Sequence, residues 1–163
     1  MVCQYLICGA GRVGVRLSCF LASFGYEVTL IDIELEPRVY EITREYKDKI
    51  RLISGDGSSE EVLEKAGIST AFCLISTIGK YTANVRVILA ARRWREKTGK
   101  QKDLKIIARV SNEQQASLLT DLADYILFPE EEGSWEIAAL VRTMKEKDLK
   151  KICMILHPFF IYM

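Results

Sequence analysis

The 163 residues, 49% of them hydrophobic and 28% charged, have the bulk and composition of one globular domain with a full core. Lysine and arginine number 23 against 22 acids, a net charge of +1 that points away from nucleic acid and from an anionic membrane surface. No apolar run reaches the roughly 18 residues that a membrane span needs.

The start, MVCQYLICGAG, reads as a strand entering a glycine loop and not as a signal peptide. The stretch over 5–32, YLICGAGRVGVRLSCFLASFGYEVTLID, organises the chain. A strand over 3–8 runs into Gly9-Ala10-Gly11-Arg12-Val13-Gly14, which is G-x-G-x-x-G, and a helix is expected over 12–24. Gly9 turns the chain, Gly11 lets a phosphate approach the backbone, and Gly14 lets helix and strand pack closely. The free N–H groups and dipole of the helix start attract an anion. Arg12 in the first turn opposes that dipole, a penalty that a bound phosphate would reverse. Val13, Leu17, Phe20, Leu21 and Phe24 form the expected apolar face, and Gly25 the C-terminal cap. A second strand, over 27–32, ends in Asp32. Its carboxylate suits the two ribose hydroxyls and would repel a 2′-phosphate, so NAD(H) or an adenosine nucleotide is favoured over NADP.

Pro37 opens a helix expected to reach residue 47, with Val39, Ile42 and Tyr46 on one face. A strand follows over 50–54, then GDGSSEE, where Ser58 with Glu61 reads as a capping box for a short helix ending at Gly67. A strand over 71–76 has the apolar run of a buried strand and breaks at Thr77-Ile78-Gly79. A long helix is expected over 81–97, a strand over 105–110, and a helix capped by Ser111 or Asn112 reaching 122. A strand over 125–128 precedes a last helix over 129–145 and, over 146–163, a hydrophobic C-terminal tail or truncated crossover segment.

Strands and helices thus alternate as in an α/β, Rossmann-like, doubly wound parallel six-stranded sheet, one domain of order 3-2-1-4-5-6. Such sheets bind ligands beyond the strand ends where strands 1 and 4 diverge, which gathers the glycine loop, Asp32, Asp56 and the Ser76–Gly79 turn. The helix over 81–97 carries one stripe of Ala83, Val87, Ala90, Ala91 and Trp94 and another of Val85, Ile88 and Leu89; the last helix is likewise apolar on two sides. A helix with two apolar faces packs against two things, so self-association is expected. The five cysteines are odd in number and lack a C-x-x-C, and read as free thiols of a reducing compartment. Cys8 reads as a buried small hydrophobe, and His157, the one histidine, as incidental.

With these blocks in place, the chain resembles the RCK (KTN, or TrkA-N) domain, the cytosolic regulator of potassium channels and of Trk and Ktr potassium transporters. The likeness runs over about 2–142 and rests on CGAGRVG with Asp32, GDGSSEEVLEKAGI, LISTIGKYTANVRVILAARR, IIARVSNEQQASLL and DLADYILFPEEEG, in that order. The resemblance implies nucleotide contacts from the glycine loop, with Asp32 on the ribose and Asp56, beside Gly57, on the adenine edge. It implies that Thr77 and Gly79 line the mouth, and that Arg109 and Arg12 reach toward phosphate. Gly79-Lys80-Tyr81 departs from the acidic residues frequent after the family's fourth strand, and Lys80 adds positive charge that suits ATP or ADP. No counterpart of the family's second domain, RCK-C, is expected within these 163 residues, whether the chain is naturally short or truncated.

The expected function is therefore a nucleotide-binding regulatory subunit or domain that gates a membrane potassium channel or a Trk/Ktr-type uptake transporter. It would be cytoplasmic, held at the inner face of the membrane through its partner, and a homodimer or higher ring assembly with no nucleic acid. The bound species would be NAD(H), ATP, ADP or AMP. An NAD-dependent oxidoreductase is the alternative, but no substrate domain is expected within these 163 residues and they carry no Tyr-x-x-x-Lys pair. A dimerisation module with a vestigial pocket is the other.

Overall fold

Apolar side chains in unbroken runs need cover on both faces of a sheet, and a parallel sheet flanked by helices supplies it. Leu6, Ile7 and Cys8, then Val28, Leu30 and Ile31, then Leu74 and Ile75 are all buried. The computed structural model of the protein describes residues 4–99 and 104–128. The order is β1 (Gln4–Cys8), α1 (Arg12–Ser23), β2 (Glu27–Asp32), α2 (Pro37–Thr43), a 3-10 turn (Arg44–Tyr46), β3 (Ile50–Ser54) and α3 (Glu60–Ala66). Then follow β4 (Ala71–Ser76), α4 (Tyr81–Lys97), β5 (Lys105–Arg109), α5 (Glu113–Leu119) and β6 (Tyr125–Leu127). All pairings are parallel and the order across the sheet is β3-β2-β1-β4-β5-β6, the doubly wound arrangement expected. The chain divides into two compact units, Met1–Leu127 and Phe128–Met163. The expected helix over 129–145, its boundary with the tail and the tail itself lie outside the described residues.

Helix α1 corrects one expectation. Its buried residues are Gly14, Val15, Ser18 and Ala22, while Phe20 and Phe24 are exposed. The cause is Gly14: a Cβ there would overlap the Gly9 carbonyl oxygen and lie 2.7 Å from Thr77 Oγ1. So close an approach turns the small residues inward, with Leu17 and Leu21 packed beside them. Helix α1 ends as expected: Gly25 takes a φ of 89°, and Tyr26 N–H reaches back to the Leu21 carbonyl.

Three helix boundaries also differ, and β5 and β6 each end one residue early. The helix from Pro37 tightens into a 3-10 turn at Arg44, and Val39 and Thr43 face inward while Ile42 is exposed. Thr43 succeeds inside because its hydroxyl donates to the Val39 carbonyl at 2.8 Å. Ser58 does not cap α3. Ser59 holds the N-cap position without a side-chain bond, and Ser58 N–H and Oγ both donate to Asp56 Oδ1, at 2.9 and 2.8 Å. A carboxylate two residues upstream is nearer than the next helical turn and wins the hydroxyl. For α5 the cap is Asn112, whose Oδ1 accepts from Gln115 N at 2.9 Å, and the helix stops at Leu119.

Helix α4 has the expected bounds, and of its second expected stripe Ile88 is buried while Val85 and Leu89 are half-buried. Asn84, Val87, Ile88, Ala90, Ala91 and Trp94 are all buried within this unit, and Ile88 is fully enclosed. One broad face meets the sheet and α3, so Ile88 is not available to a second subunit.

Candidate functional site

Three backbone bonds carry the ladder one residue past the strand ends. Gly9 N–H donates to Ile31 O, Thr77 N–H to Cys8 O and Gly55 N–H to Asp32 O, each at 2.8 Å. The loops after β1, β3 and β4 therefore leave the sheet from fixed points. Between them lies an open cleft of about 260 Å³. Its walls include Gly9, Gly11, Asp32, Ile33, Asp56, Gly57, Thr77, Gly79, Ala83 and Arg86.

The glycines of the fingerprint divide into two kinds. Gly9 has a φ of 108°, and a Cβ on it would stand 2.9 Å from Thr77 Oγ1. Gly9 and Gly14 are thus glycines of the fold. Gly11 has a φ of −69° and would meet nothing within 4 Å, so the protein itself does not require it. It is the N-cap of α1, makes no side-chain cap and is followed by no acid in the first turn. The first-turn N–H groups of a helix have no intrahelical acceptor, so they remain available to an anion.

Asp32 closes the opposite wall. Its Oδ2 accepts from Ala10 N–H at 2.5 Å and its Oδ1 from Glu34 N–H at 3.2 Å. A carboxylate offers about four lone-pair positions, so two remain for other donors. Asp56 is oriented by Ser58, which occupies Oδ1, while Oδ2 lies 3.9 Å from Arg86 Nη2. The Ser58 N–H and hydroxyl, with help from Arg86, hold the Asp56 carboxyl below its ordinary range. Beneath them Cys8 is fully buried, and Gly57 packs so close that a Cβ would fall 2.9 Å from Cys8 Sγ. Burial first, and then Asp32 and Asp56, push the Cys8 thiol up to about 12, so it stays protonated at neutral pH.

The remaining expected residues are placed as follows. Thr77 lines the cleft, but its hydroxyl points back to donate to Gly9 O at 2.9 Å and Cys8 O at 3.2 Å, tying β4 to the glycine loop. Arg109 lies behind Gly79: its Nη1 is 3.7 Å from where a Gly79 Cβ would be and 3.5 Å from Thr77 O. Ala10 serves through its N–H. Arg12 and Val13 are exposed on the first turn of α1 and, like Arg109, stand outside the cleft lining.

Sequence reading missed three residues here. Asn84 is buried on α4 and donates to Arg109 O at 2.6 Å, fixing the end of β5 beside the cleft. Ile33 and Arg86 line the cleft directly. A polar residue on the buried stripe of α4 was the available signal for Asn84; Ile33 and Arg86 carry no local pattern. Among the described residues no group of three or more His, Cys, Asp or Glu side chains could hold a metal ion, and no helix is long and apolar enough to cross a membrane.

The sequence profile of the TrkA-N domain matches residues 5–129. A Trk system potassium uptake protein TrkA homolog of Methanothermobacter thermautotrophicus is 31% identical over 145 residues, 88% of this chain and 62% of that protein. The chain thus spans about three fifths of that relative's length. The TrkA-N domain of the inner membrane protein ybaL from Escherichia coli superposes with a TM-score of 0.68 at 24% identity, over 86% of this chain and 97% of the other. The GsuK channel bound to NAD superposes with a TM-score of 0.68 at 23% identity, over 86% of this chain and 23% of that one. GsuK bound to ADP gives a TM-score of 0.67 at 24% identity, over 85% and 33%. At these identities the solved structures establish the fold.

Proposed function

The chain belongs to the TrkA-N family, and from that premise we propose that it is a regulatory domain that binds an adenosine nucleotide and passes the binding signal to a membrane potassium channel or Trk/Ktr-type uptake transporter. The observation that carries the reading is the juxtaposition at the β1–β4 divergence. An uncapped helix start with an unobstructed glycine faces a carboxylate at the end of β2 that has acceptor capacity left. In this reading the N–H groups of Gly11 and Arg12 take the phosphates while that of Ala10 stays on Asp32, and the Arg12 and Arg109 side chains supply positive charge nearby. Asp32 accepts from the ribose hydroxyls and disfavours a 2′-phosphate, and Asp56 Oδ2 accepts from the adenine amine. Gly57, Thr77 and Gly79 shape the walls.

Regulation follows from differential affinity: a nucleotide shifts a gating equilibrium only by as much as it prefers one arrangement of the assembled domains. A homodimer or a larger ring would provide such arrangements, at the inner face of the membrane. A non-catalytic role accords with the lining. The Cys8 thiol is protonated and buried, and Asp32 already holds two backbone donors. The ligand class, NAD(H), ATP, ADP or AMP, accords with the NAD- and ADP-bound states of GsuK.

Isothermal calorimetry with NAD, NADH, ATP, ADP, AMP and NADP tests this directly. At least one of the first five binds, NADP binds more weakly than NAD, and Asp32→Ala lowers affinity at least about tenfold, the loss of two charge-assisted hydrogen bonds. No heat with any of them would remove the nucleotide reading. Rubidium uptake unchanged by deletion of the gene would remove the transport reading.

A further inference from the structure

We propose that Arg86 recognises the base of the bound nucleotide, its guanidinium plane lying on one face of adenine while Ile33 offers the other; this rests on the nucleotide reading above. Strand order sets the direction of the ligand. The phosphate-binding glycines follow β1, Asp32 ends β2, and Asp56 follows β3, the outermost strand on that side. Phosphate, ribose and base therefore run from β1 toward β3, and a residue beside Asp56 stands at the base end.

Arg86 is that residue. It projects from α4 with its side chain 61% exposed, its Nη2 lies 3.9 Å from Asp56 Oδ2, and it is the one basic residue among the described residues that line the cleft. The phosphate end of the lining thus has no cation of its own, and the cation is placed where the base would be. Ile33 lines the same cleft from the end of β2, and at 64% exposed its side chain is open to a ligand. A base is a flat plate with a polar rim. An isoleucine and a guanidinium suit its two faces, since arginine stacks on aromatic planes, and a carboxylate suits its amine edge. Asp56 can serve both neighbours, because Ser58 engages Oδ1 and leaves Oδ2 between Arg86 and the base. As an exposed pair, Arg86 and Asp56 contribute little to the fold. The arrangement makes Arg86 a specificity-determining residue, its own contribution to affinity drawn from the base and not from the phosphates.

The experiment titrates the full chain and its Arg86→Ala and Arg86→Lys variants with AMP and with ribose 5-phosphate, by displacement of a fluorescent ADP analogue. Both variants should bind AMP about threefold to thirtyfold more weakly. Their affinity for ribose 5-phosphate and their unliganded melting temperature should match the unsubstituted chain. Equal AMP affinity in Arg86→Ala overturns the proposal. So does an equal loss for AMP and ribose 5-phosphate, which would put Arg86 on the phosphate, or full AMP affinity in Arg86→Lys, which would make charge alone sufficient. Failure of the unsubstituted chain to bind AMP, ADP or the analogue is a different result, and it overturns the nucleotide reading itself.

Discussion

Alanine at Gly11 separates ligand chemistry from folding in a way the other fingerprint glycines cannot. Its Cβ would meet nothing within 4 Å, and its φ of −69° is open to any residue. Two small effects on stability oppose each other. Alanine restricts the unfolded chain, a gain of about 0.4–1 kcal/mol, but it is a poorer N-cap than glycine by a comparable amount. Gly11→Ala should therefore stay within about 1 kcal/mol of the parent, or roughly 2–4 °C in melting temperature for a chain of this size. Binding should respond quite differently. A methyl group at the helix mouth displaces a phosphate from the first-turn N–H groups, and each charge-assisted bond lost is worth about 1.5–3 kcal/mol. Losing two of them weakens ADP about 100-fold or more. Gly14→Ala is the control: its Cβ overlaps the Gly9 carbonyl, so it should unfold or melt far lower. Thermal melts and ADP calorimetry on the two variants decide the matter. Parent-like ADP affinity in Gly11→Ala would refute the phosphate position, and a loss of stability matching Gly14→Ala would refute the division of the glycines into two kinds.

Thr77→Val keeps the shape of the side chain but removes the buried hydroxyl that donates to Gly9 O and Cys8 O; it should cost about 1–3 kcal/mol by urea unfolding, and an unchanged midpoint would show the tie to be idle. Cys8 and Cys73 both have thiols pushed up to about 12, chiefly by burial. At pH 8.5 iodoacetamide should leave both unmodified until urea is added, as peptide mass mapping will show; rapid labelling of either would contradict the buried thiol. Asp56 has its carboxyl lowered by the Ser58 N–H and hydroxyl, with Arg86 adding to them. A depressed folded value contributes stability that is present above the unfolded carboxyl value of about 3.9 and is lost as pH falls through the folded value. Urea midpoints should therefore fall less steeply between pH 5 and pH 3 in Asp56→Asn than in the parent, and parallel slopes would remove Asp56 from the acid response.

Strand positions were legible because period and composition are local. The runs at 27–32, 50–54 and 71–76 are apolar, bounded by turn residues, and have the bounds expected. Helix faces were less legible. On α1 the largest side chains form the apolar stripe, yet the helix turns its small residues to the sheet, because Gly14 sets an approach that Phe20 and Phe24 could not fit. Hydrophobicity ranks side chains singly, whereas packing depends on the gap to be filled. The same limit applies to Ser58, where a capping pattern was present but the Asp56 carboxylate was closer.

The sequence by itself determined the alternating elements, the glycine turn and the carboxylate at the end of β2, since each follows from residues within one or two turns of chain. Only the tertiary structure decided which glycine is free for a ligand, that the Thr77 hydroxyl faces the glycine loop, and that Arg86 meets Asp56. Those facts depend on distances between segments 25 or more residues apart, such as Cys8 beside Gly57 and Asn84 under Arg109. Folding sets such distances through the whole sheet at once, and no local spacing encodes them.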